Sequence, residues 1–264
     1  MTAVTDVLLP ASPDEAVSAF GDGAGVTVIG GGTIVMPDIA AGRLKPARTL
    51  LLARAGLGGV TRDGSTVTIG AMAPFIDLVG LAAPVGPCAA NLGDVEVRSQ
   101  ATVGGNLCAG EGRDAPRGDL QGPLLAVDAR VRSAGGGGTT TQPVEEFLAA
   151  SRNRLVLDVS YQEPAAGAFV SLDRPHTHEY TALAVSAARL ADGSVRLAAT
   201  GAGGGGRGVR LHAAEAAAGD PEAAGEAALE DVTPHDDVLA SAWYRRKVLP
   251  VLVRRALTQL QETA

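Results

Sequence analysis

The chain of 264 residues is poor in cysteine, in lysine and in long hydrophobic runs. Its two cysteines, Cys88 and Cys108, favour a reducing, cytoplasmic location and exclude a disulfide framework. An iron–sulfur cluster needs a larger set of cysteine ligands than this pair. If the protein handles electrons, we therefore expect it to use an organic cofactor or a partner's metal.

Two further shortages exclude other classes of protein. No apolar run reaches the roughly 20 residues that span a bilayer, and the first residues lack the basic and apolar regions of a secretory signal. We therefore expect neither a membrane span nor a secretory signal. Basic residues number 22 against 29 acidic ones, for a net charge of −7, which argues against a nucleic-acid partner bound through phosphates.

Local patterns predict the first elements. Ser12 suits an N-cap, Pro13 the first helical position and Glu15 the third position of a capping box, so a helix should run to about Phe20. The run of β-branched residues at 26–29 then predicts a short buried strand that ends at three glycines.

The rest of the chain divides into larger segments. We expect three units, residues 1–55, 56–160 and 161–264, with strands near 66–69, 154–161, 181–190 and 194–200 and a long helix over 241–260. The glycine-rich stretch 99–122 shows no periodicity. Loops of that length inside a compact domain are usually functional.

The first stretch that could carry chemistry is the glycine run Gly30–Gly32 with Thr33. Such a strand end exposes backbone N–H groups without Cβ atoms in the way and can wrap a phosphate. It is neither a Rossmann fingerprint, because Val35 stands where the third glycine belongs, nor a P-loop. An ordinary strand-to-turn connection and an anion loop both remain open here.

The second stretch is 97–107, in which Thr102, Gly104, Gly105 and Asn106 again combine glycines with polar donors. Two such loops, about 70 residues apart, could hold the two phosphates of one dinucleotide, and Asp119 could accept hydrogen bonds from a ribose. Taken alone, this stretch reads as a glycine-rich surface loop.

The third stretch is His176-Thr177-His178-Glu179. On a strand, the two rings would point to one face, and Glu179 could add a third metal ligand. The chain has only two other histidines, His212 and His235, and no spacing of a known metal site. We therefore expect no metal here and favour solvated or hydrogen-bonded histidines.

Taken together, the two loops resemble those of the FAD-binding medium subunits of the molybdenum hydroxylases, the family of carbon monoxide dehydrogenase and xanthine dehydrogenase. The matching regions are 29–33 with 43–46, 69–71 with the "T-x-G-G-N" loop at 98–107, the stretch 119–129, which resembles the family's "D-L-P…L-L-A-L-D-A" segment, and the C-terminal stretches 241–246 and 252–257. Their order and spacing cover nearly the whole chain.

The resemblance implies an α+β fold: a two-part FAD-binding domain, made of a small N-terminal α/β unit and a larger mixed-sheet unit, followed by a C-terminal domain with a small antiparallel sheet and helices. It places FAD on both loops. The implied cofactor-binding residues are Ile29, Gly30, Gly31, Gly32, Thr33, Ile34, Thr102, Gly104, Gly105, Asn106 and Asp119. Tyr180 aligns with an aromatic residue that lies near the flavin ring in some relatives.

The leading functional hypothesis is an electron-transfer subunit. It would receive electrons from an iron–sulfur small subunit, working with a molybdopterin large subunit, and pass them through FAD to NAD, a quinone or oxygen. The alternative is a stand-alone FAD-dependent oxidoreductase with its own small substrate, in which His176, His178 and Tyr180 would be the candidates for proton transfer. A scaffold that has lost FAD is disfavoured by the intact glycine loops.

Overall fold

A computed structural model describes residues 6–109, 118–150, 153–172 and 181–263 of the chain. The helices are α1 (Pro13–Phe20), α2 (Val35–Ala40), α3 (Val85–Asn91), α4 (Val95–Gln100), α5 (Val103–Leu107), α6 (Gln121–Ala126), α7 (Val144–Ala149), α8 (His212–Ala216), α9 (Pro221–Ala227) and α10 (Ala242–Glu262). The strands are β1 (Asp6–Leu8), β2 (Val26–Ile29), β3 (Arg48–Leu51), β4 (Val60–Asp63), β5 (Thr66–Gly70), β6 (Arg130–Gly135), β7 (Gly138–Pro143), β8 (Arg154–Gln162), β9 (Ala166–Ser171), β10 (Ala184–Arg189), β11 (Val195–Thr200) and β12 (Val209–Arg210). Short 3-10 turns occupy Phe75–Leu78 and Gly204–Gly206.

The N-terminal unit forms as its sequence predicts. Helix α1 begins at Pro13 because the Ser12 hydroxyl accepts a hydrogen bond from the Glu15 backbone N–H at 3.2 Å. The Glu15 carboxylate binds the backbone N–H of Ala11 at 2.8 Å, one residue before the cap itself. Three parallel strands stand in the order β1-β3-β2, so the α/β character expected of this unit is confirmed.

The second sheet has five strands in the order β4-β5-β8-β6-β7. We expected a mixed sheet here, and that detail is wrong, because every neighbouring pair is antiparallel. Two hairpins, β4–β5 and β6–β7, flank the long strand β8. Hairpin connections need only a tight turn, such as the one after Gly135, and they join strands in antiparallel order.

Helices interrupt the stretch 99–122, which we expected to be a loop. Helix α5 begins after Thr102, whose hydroxyl accepts the backbone N–H of Gly105, and α6 begins at Gln121. Periodicity cannot reveal a helix of five residues, because one turn contains too few apolar positions. The second glycine loop is therefore a capped helical turn.

The C-terminal part contains an antiparallel sheet, β12-β11-β10-β9, covered by α10. Arg245 of α10 is buried, with 1% of its side chain exposed, and forms two 2.8 Å bonds with the carboxylate of Asp237. Burial alone would raise the pKa of Asp237, but the hydrogen bonds from Arg245 and from two backbone N–H groups lower it. The same guanidinium donates to the carbonyl of Ala182 at 3.1 Å, which ties α10 to the sheet.

These elements confirm the α+β class. The predicted boundary at 55 falls between β3 and β4, and the one at 160 falls inside β8, two residues before its end. One hydrophobic cluster joins the first two units, with Phe20, Leu50 and Leu52 packing against Leu155 and Leu157 of β8. Across the described part of the chain, no helix combines the length and the apolarity that crossing a bilayer requires.

Candidate functional site

A cleft of about 400 Å³ lies where the N-terminal unit meets the five-stranded sheet. The structure brings both glycine loops to it, although they are far apart in the sequence. Its walls include nearly all of the predicted cofactor-binding residues, namely Gly30, Gly31, Gly32, Thr33, Ile34, Thr102, Gly104, Gly105 and Asn106. Ile29 does not line the cleft because it lies in β2 with its side chain buried.

The two loops contact each other directly. A Cβ atom at Gly30 would lie 2.6 Å from the hydroxyl oxygen of Thr102, and one at Gly31 would overlap the carbonyl oxygen of Gln100. Glycine is therefore required at both positions by the packing of the protein itself. The expectation that these glycines leave room for a phosphate stays a prediction; contact between the two loops is a second reason for glycine at both positions.

The first loop presents free donors. Within the residues that the structure describes, no acceptor pairs with the backbone N–H groups of Gly31, Gly32 and Thr33. Gly32 has a φ of +74°, in the left-handed region that favours glycine. Successive unpaired N–H groups around such a residue form a concave site for an anion.

The second loop differs, because its N–H groups already have partners. Those of Val103 and Gly104 bind the carbonyls of Ala73 and Ala71 at 3.1 and 2.8 Å. The N–H of Gly105 donates to the Thr102 hydroxyl at 3.3 Å, and that of Asn106 to the Thr102 carbonyl at 2.9 Å. This loop serves as a preformed wall, open beside Gly105, where an added Cβ would meet only the Thr102 hydroxyl, at 3.0 Å.

The side chain of Asn106 holds the segment that carries Asp119. Its amide nitrogen donates to the Asp119 carboxylate at 2.9 Å, and its amide oxygen accepts the backbone N–H of Leu120 at 2.9 Å. Asp119 itself does not line the cleft formed by the described residues. The structure thus brings the predicted ribose-binding acid next to the second loop, and its contact with ribose stays a prediction.

The two cysteines lie in different surroundings. Cys88 is buried behind Asp119 and donates to its backbone carbonyl at 3.4 Å. Burial, and then the charge of Asp119, raise the pKa of the Cys88 thiol well above its ordinary value, which leaves it unreactive. Cys108 is exposed and lines the cleft directly after α5.

Sequence reasoning missed one wall of the cleft. Residues 153–156, at the start of β8, also line it. Among them, Arg154 carries a positive charge, and its Nε and Nη2 atoms are fixed by Ser133 at 2.7 Å and by Thr140 at 2.8 Å. No local motif marks this wall, because only the pairing of β8 with β6 brings it to the site.

The weak catalytic candidates His176, His178 and Tyr180 lie outside the described residues, so their place relative to the cleft stays a prediction. Within 6–109, 118–150, 153–172 and 181–263, no group of three or more histidine, cysteine, aspartate or glutamate side chains is arranged to hold a metal ion.

Comparison with known proteins places this fold and cleft in a class. A family model described as the FAD binding domain in molybdopterin dehydrogenase matches residues 3–163. The carbon monoxide dehydrogenase medium chain of Hydrogenophaga pseudoflava is 29% identical over 149 residues, 53% of this chain and 50% of that one. Subunit alpha of the 6-hydroxypseudooxynicotine dehydrogenase complex of Paenarthrobacter nicotinovorans is 25% identical over an alignment of 280 residues, which covers 96% of this chain and 93% of that subunit.

A solved structure shows the same fold over the full length. Reconstituted CO dehydrogenase from Oligotropha carboxidovorans superposes with a TM-score of 0.86 at 21% identity, covering 100% of both chains. Because the family model matches more than half of the chain, the chain belongs to the FAD-binding domains of molybdopterin dehydrogenases. The expected family and its cofactor, FAD, are thus confirmed.

The residues present fit this cofactor. The cleft volume lies in the range of small-molecule sites, roughly 300–1,000 Å³. The N–H groups of Gly31, Gly32 and Thr33, which have no acceptor among the described residues, suit a diphosphate. Arg154, which also lines the cleft, carries a positive charge. Beside Gly105 the wall has no side chain that would keep a ligand away from the backbone.

Proposed function

We propose that this chain is the electron-transfer subunit of a molybdenum hydroxylase-type dehydrogenase and binds FAD between its two glycine loops. The observation that carries the proposal is the meeting of two distant glycine loops in one cleft, one of them with three adjacent unpaired N–H groups. The full-length likeness to a subunit of a dehydrogenase complex supports a role inside an assembly.

In this role the chain is one link of a longer path. Substrate is oxidised on a molybdopterin-containing large partner, electrons arrive from the iron–sulfur clusters of a small partner, and they leave to NAD, a quinone or oxygen. The described part of this chain holds no candidate metal cluster of its own. The redox chemistry belongs to the flavin, while the protein binds and orients it.

The described residues divide this binding task. The backbone N–H groups of Gly31, Gly32 and Thr33 hold the diphosphate, and Arg154 adds a positive charge to the wall of the cleft. Asn106 keeps Asp119 in place beside the second loop at 2.9 Å, as ribose recognition by this acid requires.

The first experiment is the absorbance spectrum of the purified chain, before and after addition of FAD and removal of unbound ligand. We expect flavin bands that stay with the folded protein and that pass into the filtrate when the protein is unfolded and the cofactor is released. As a control, the Gly219→Ala variant alters an exposed glycine with nothing within 4 Å and should retain the bands. A chain without flavin bands even after addition of FAD would contradict the proposal.

A second measurement tests the assembly. The chain, expressed with its neighbouring genes and purified by a tag on this chain alone, should bring down proteins that contain iron and molybdenum. If the chain instead carries flavin, stays alone and oxidises a small substrate without partners, the stand-alone oxidoreductase is the correct assignment.

A further inference from the structure

The side chain of Gln121 connects the second glycine loop to the C-terminal part of the molecule. It is buried, with 1% exposure, at the first position of α6. Its amide nitrogen donates to the carbonyls of Leu107 and Ala109, both at 2.9 Å. Its amide oxygen accepts the backbone N–H of Gly208, next to β12, at 2.7 Å.

These three bonds occupy both N–H groups and the oxygen of the amide. Leu107 ends α5, the turn that carries Gly104, Gly105 and Asn106, so the bonds fix the point where the chain leaves the second loop. Gly208 lies against Gln121, since a Cβ there would come within 2.6 Å of the Gln121 Cβ. The Gln121 side chain is thus held in one position, between the end of α5 and Gly208.

A second contact supports the same segment. The Thr200 hydroxyl, at the end of β11, accepts the backbone N–H of Gly122 at 3.1 Å and donates to the carbonyl of Asp119 at 3.3 Å. The C-terminal sheet therefore holds residues 119–122 through two hydrogen bonds of Thr200, one to Gly122 and one to Asp119. Position 121 is the one where the "D-L-P" pattern has proline, a residue that offers no side-chain hydrogen bonds.

We infer that Gln121 is a positioning residue for FAD: it transmits the position of the C-terminal sheet to the second glycine loop, and FAD affinity depends on its amide. The inference rests on the proposed function in one respect, that FAD lies against this loop. Gln121 does not line the cleft, so it acts through Leu107 and Ala109 rather than by contact with the ligand.

The test compares Gln121→Glu with Gln121→Leu by titrating the flavin-free, full-length proteins with FAD at pH 5.5 and pH 8.5. A neutral glutamic acid keeps one O–H donor and one acceptor. Once ionised, it cannot donate and faces two carbonyl oxygens. Burial raises the pKa of such a carboxyl, so FAD affinity should fall as pH rises through that pKa.

Charged and ionisable groups near α6 are present in the parent and in every variant. On the elements packed against α6, and directly before it, they are Cys88, Asp119, Glu145, Glu146, Arg189, Arg196 and Arg210. The parent protein and Gln121→Leu therefore supply the baseline at each pH. The control is Gln162→Glu, because the exposed Gln162 bonds Ser65 and Thr66, at 2.7 and 2.8 Å, at the end of β8 that does not line the cleft.

We expect the dissociation constant of Gln121→Glu to be roughly tenfold above that of the parent at pH 8.5, since buried groups lose their partners, and near the parent value at pH 5.5. Gln121→Leu should be weakened at both pH values and Gln162→Glu at neither. The inference is overturned if both Gln121 variants bind FAD like the parent. It is overturned as well if the loss of FAD affinity in Gln121→Glu is the same at both pH values and accompanies a lower melting temperature, because a packing defect would give that result. A parent that binds no FAD would instead refute the proposed function.

Discussion

The two glycine loops share one cleft but are built in opposite ways. In the first loop, the N–H groups of Gly31, Gly32 and Thr33 have no acceptor within the described residues, and Gly30 and Gly31 pack against the other loop. The second, Thr102–Asn106, has satisfied its N–H groups within a capped helical turn. Similar composition therefore gives two functions, a donor surface in one loop and a rigid wall in the other.

This difference shows that a glycine-rich motif does not by itself say why glycine is needed. Gly31 has no room for a side chain because Gln100 lies against it, whereas a Cβ at Gly105 would meet only the Thr102 hydroxyl, at 3.0 Å. The same substitution at the two positions should therefore separate the folding role from the ligand-binding role.

The largest effect is expected for Gly31→Ala. A Cβ there overlaps the Gln100 carbonyl, which is backbone and cannot move without separating the loops. We expect a loss of about 3 kcal/mol or more in the free energy of unfolding, measured by urea denaturation, together with loss of FAD binding. An Ala variant as stable as Gly219→Ala would show that the loops do not pack as the structure has them.

A smaller effect on folding is expected for Thr102→Val. The change removes the hydroxyl that caps α5 and leaves the Gly105 N–H unpaired. We expect a loss of about 1 kcal/mol, typical of a helix N-cap, in the same urea experiment. Thr102→Ser keeps the hydroxyl and should remain close to the parent. A Thr102→Val variant as stable as the parent would contradict the capping role of the hydroxyl.

Gly105→Ala should leave folding nearly unchanged, because the gain in helix propensity of about 1 kcal/mol offsets the tight approach to the Thr102 hydroxyl. Gly105 lines the cleft, so FAD affinity should fall by roughly tenfold if the ligand lies against the added methyl group. Titration with FAD measures this. Undiminished affinity in a stable variant would place the ligand away from the second loop.

The smallest perturbation is chemical labelling of the two cysteines. Exposed Cys108 should react with a thiol reagent, and bound FAD should slow that reaction because Cys108 lines the cleft. Cys88 should stay unlabelled up to about pH 9, because its raised pKa leaves little thiolate. Mass spectrometry of the labelled peptides gives both answers. A rate at Cys108 that ignores FAD would contradict our placement of the cofactor.

Much of the local structure could be predicted from the sequence. The Ser12 cap, the strand before the glycine run and the long C-terminal helix all arise from neighbouring residues, and the structure has them. The short helix α5 and the fully antiparallel order of the second sheet were not predicted. A five-residue helix shows no period, and strand partners are chosen by contacts between residues distant in the chain.

The sequence by itself determined which residues could meet a dinucleotide: two glycine runs with hydroxyl and amide neighbours, in an order typical of one family. Only the tertiary structure decided how each residue is used. It left the N–H groups of Gly31, Gly32 and Thr33 unpaired, engaged Asn106 with Asp119, and fixed Gln121 between the second loop and Gly208. The physical reason is that these roles depend on which acceptors and atoms come within a few ångströms, and folding brings those partners from distant parts of the chain.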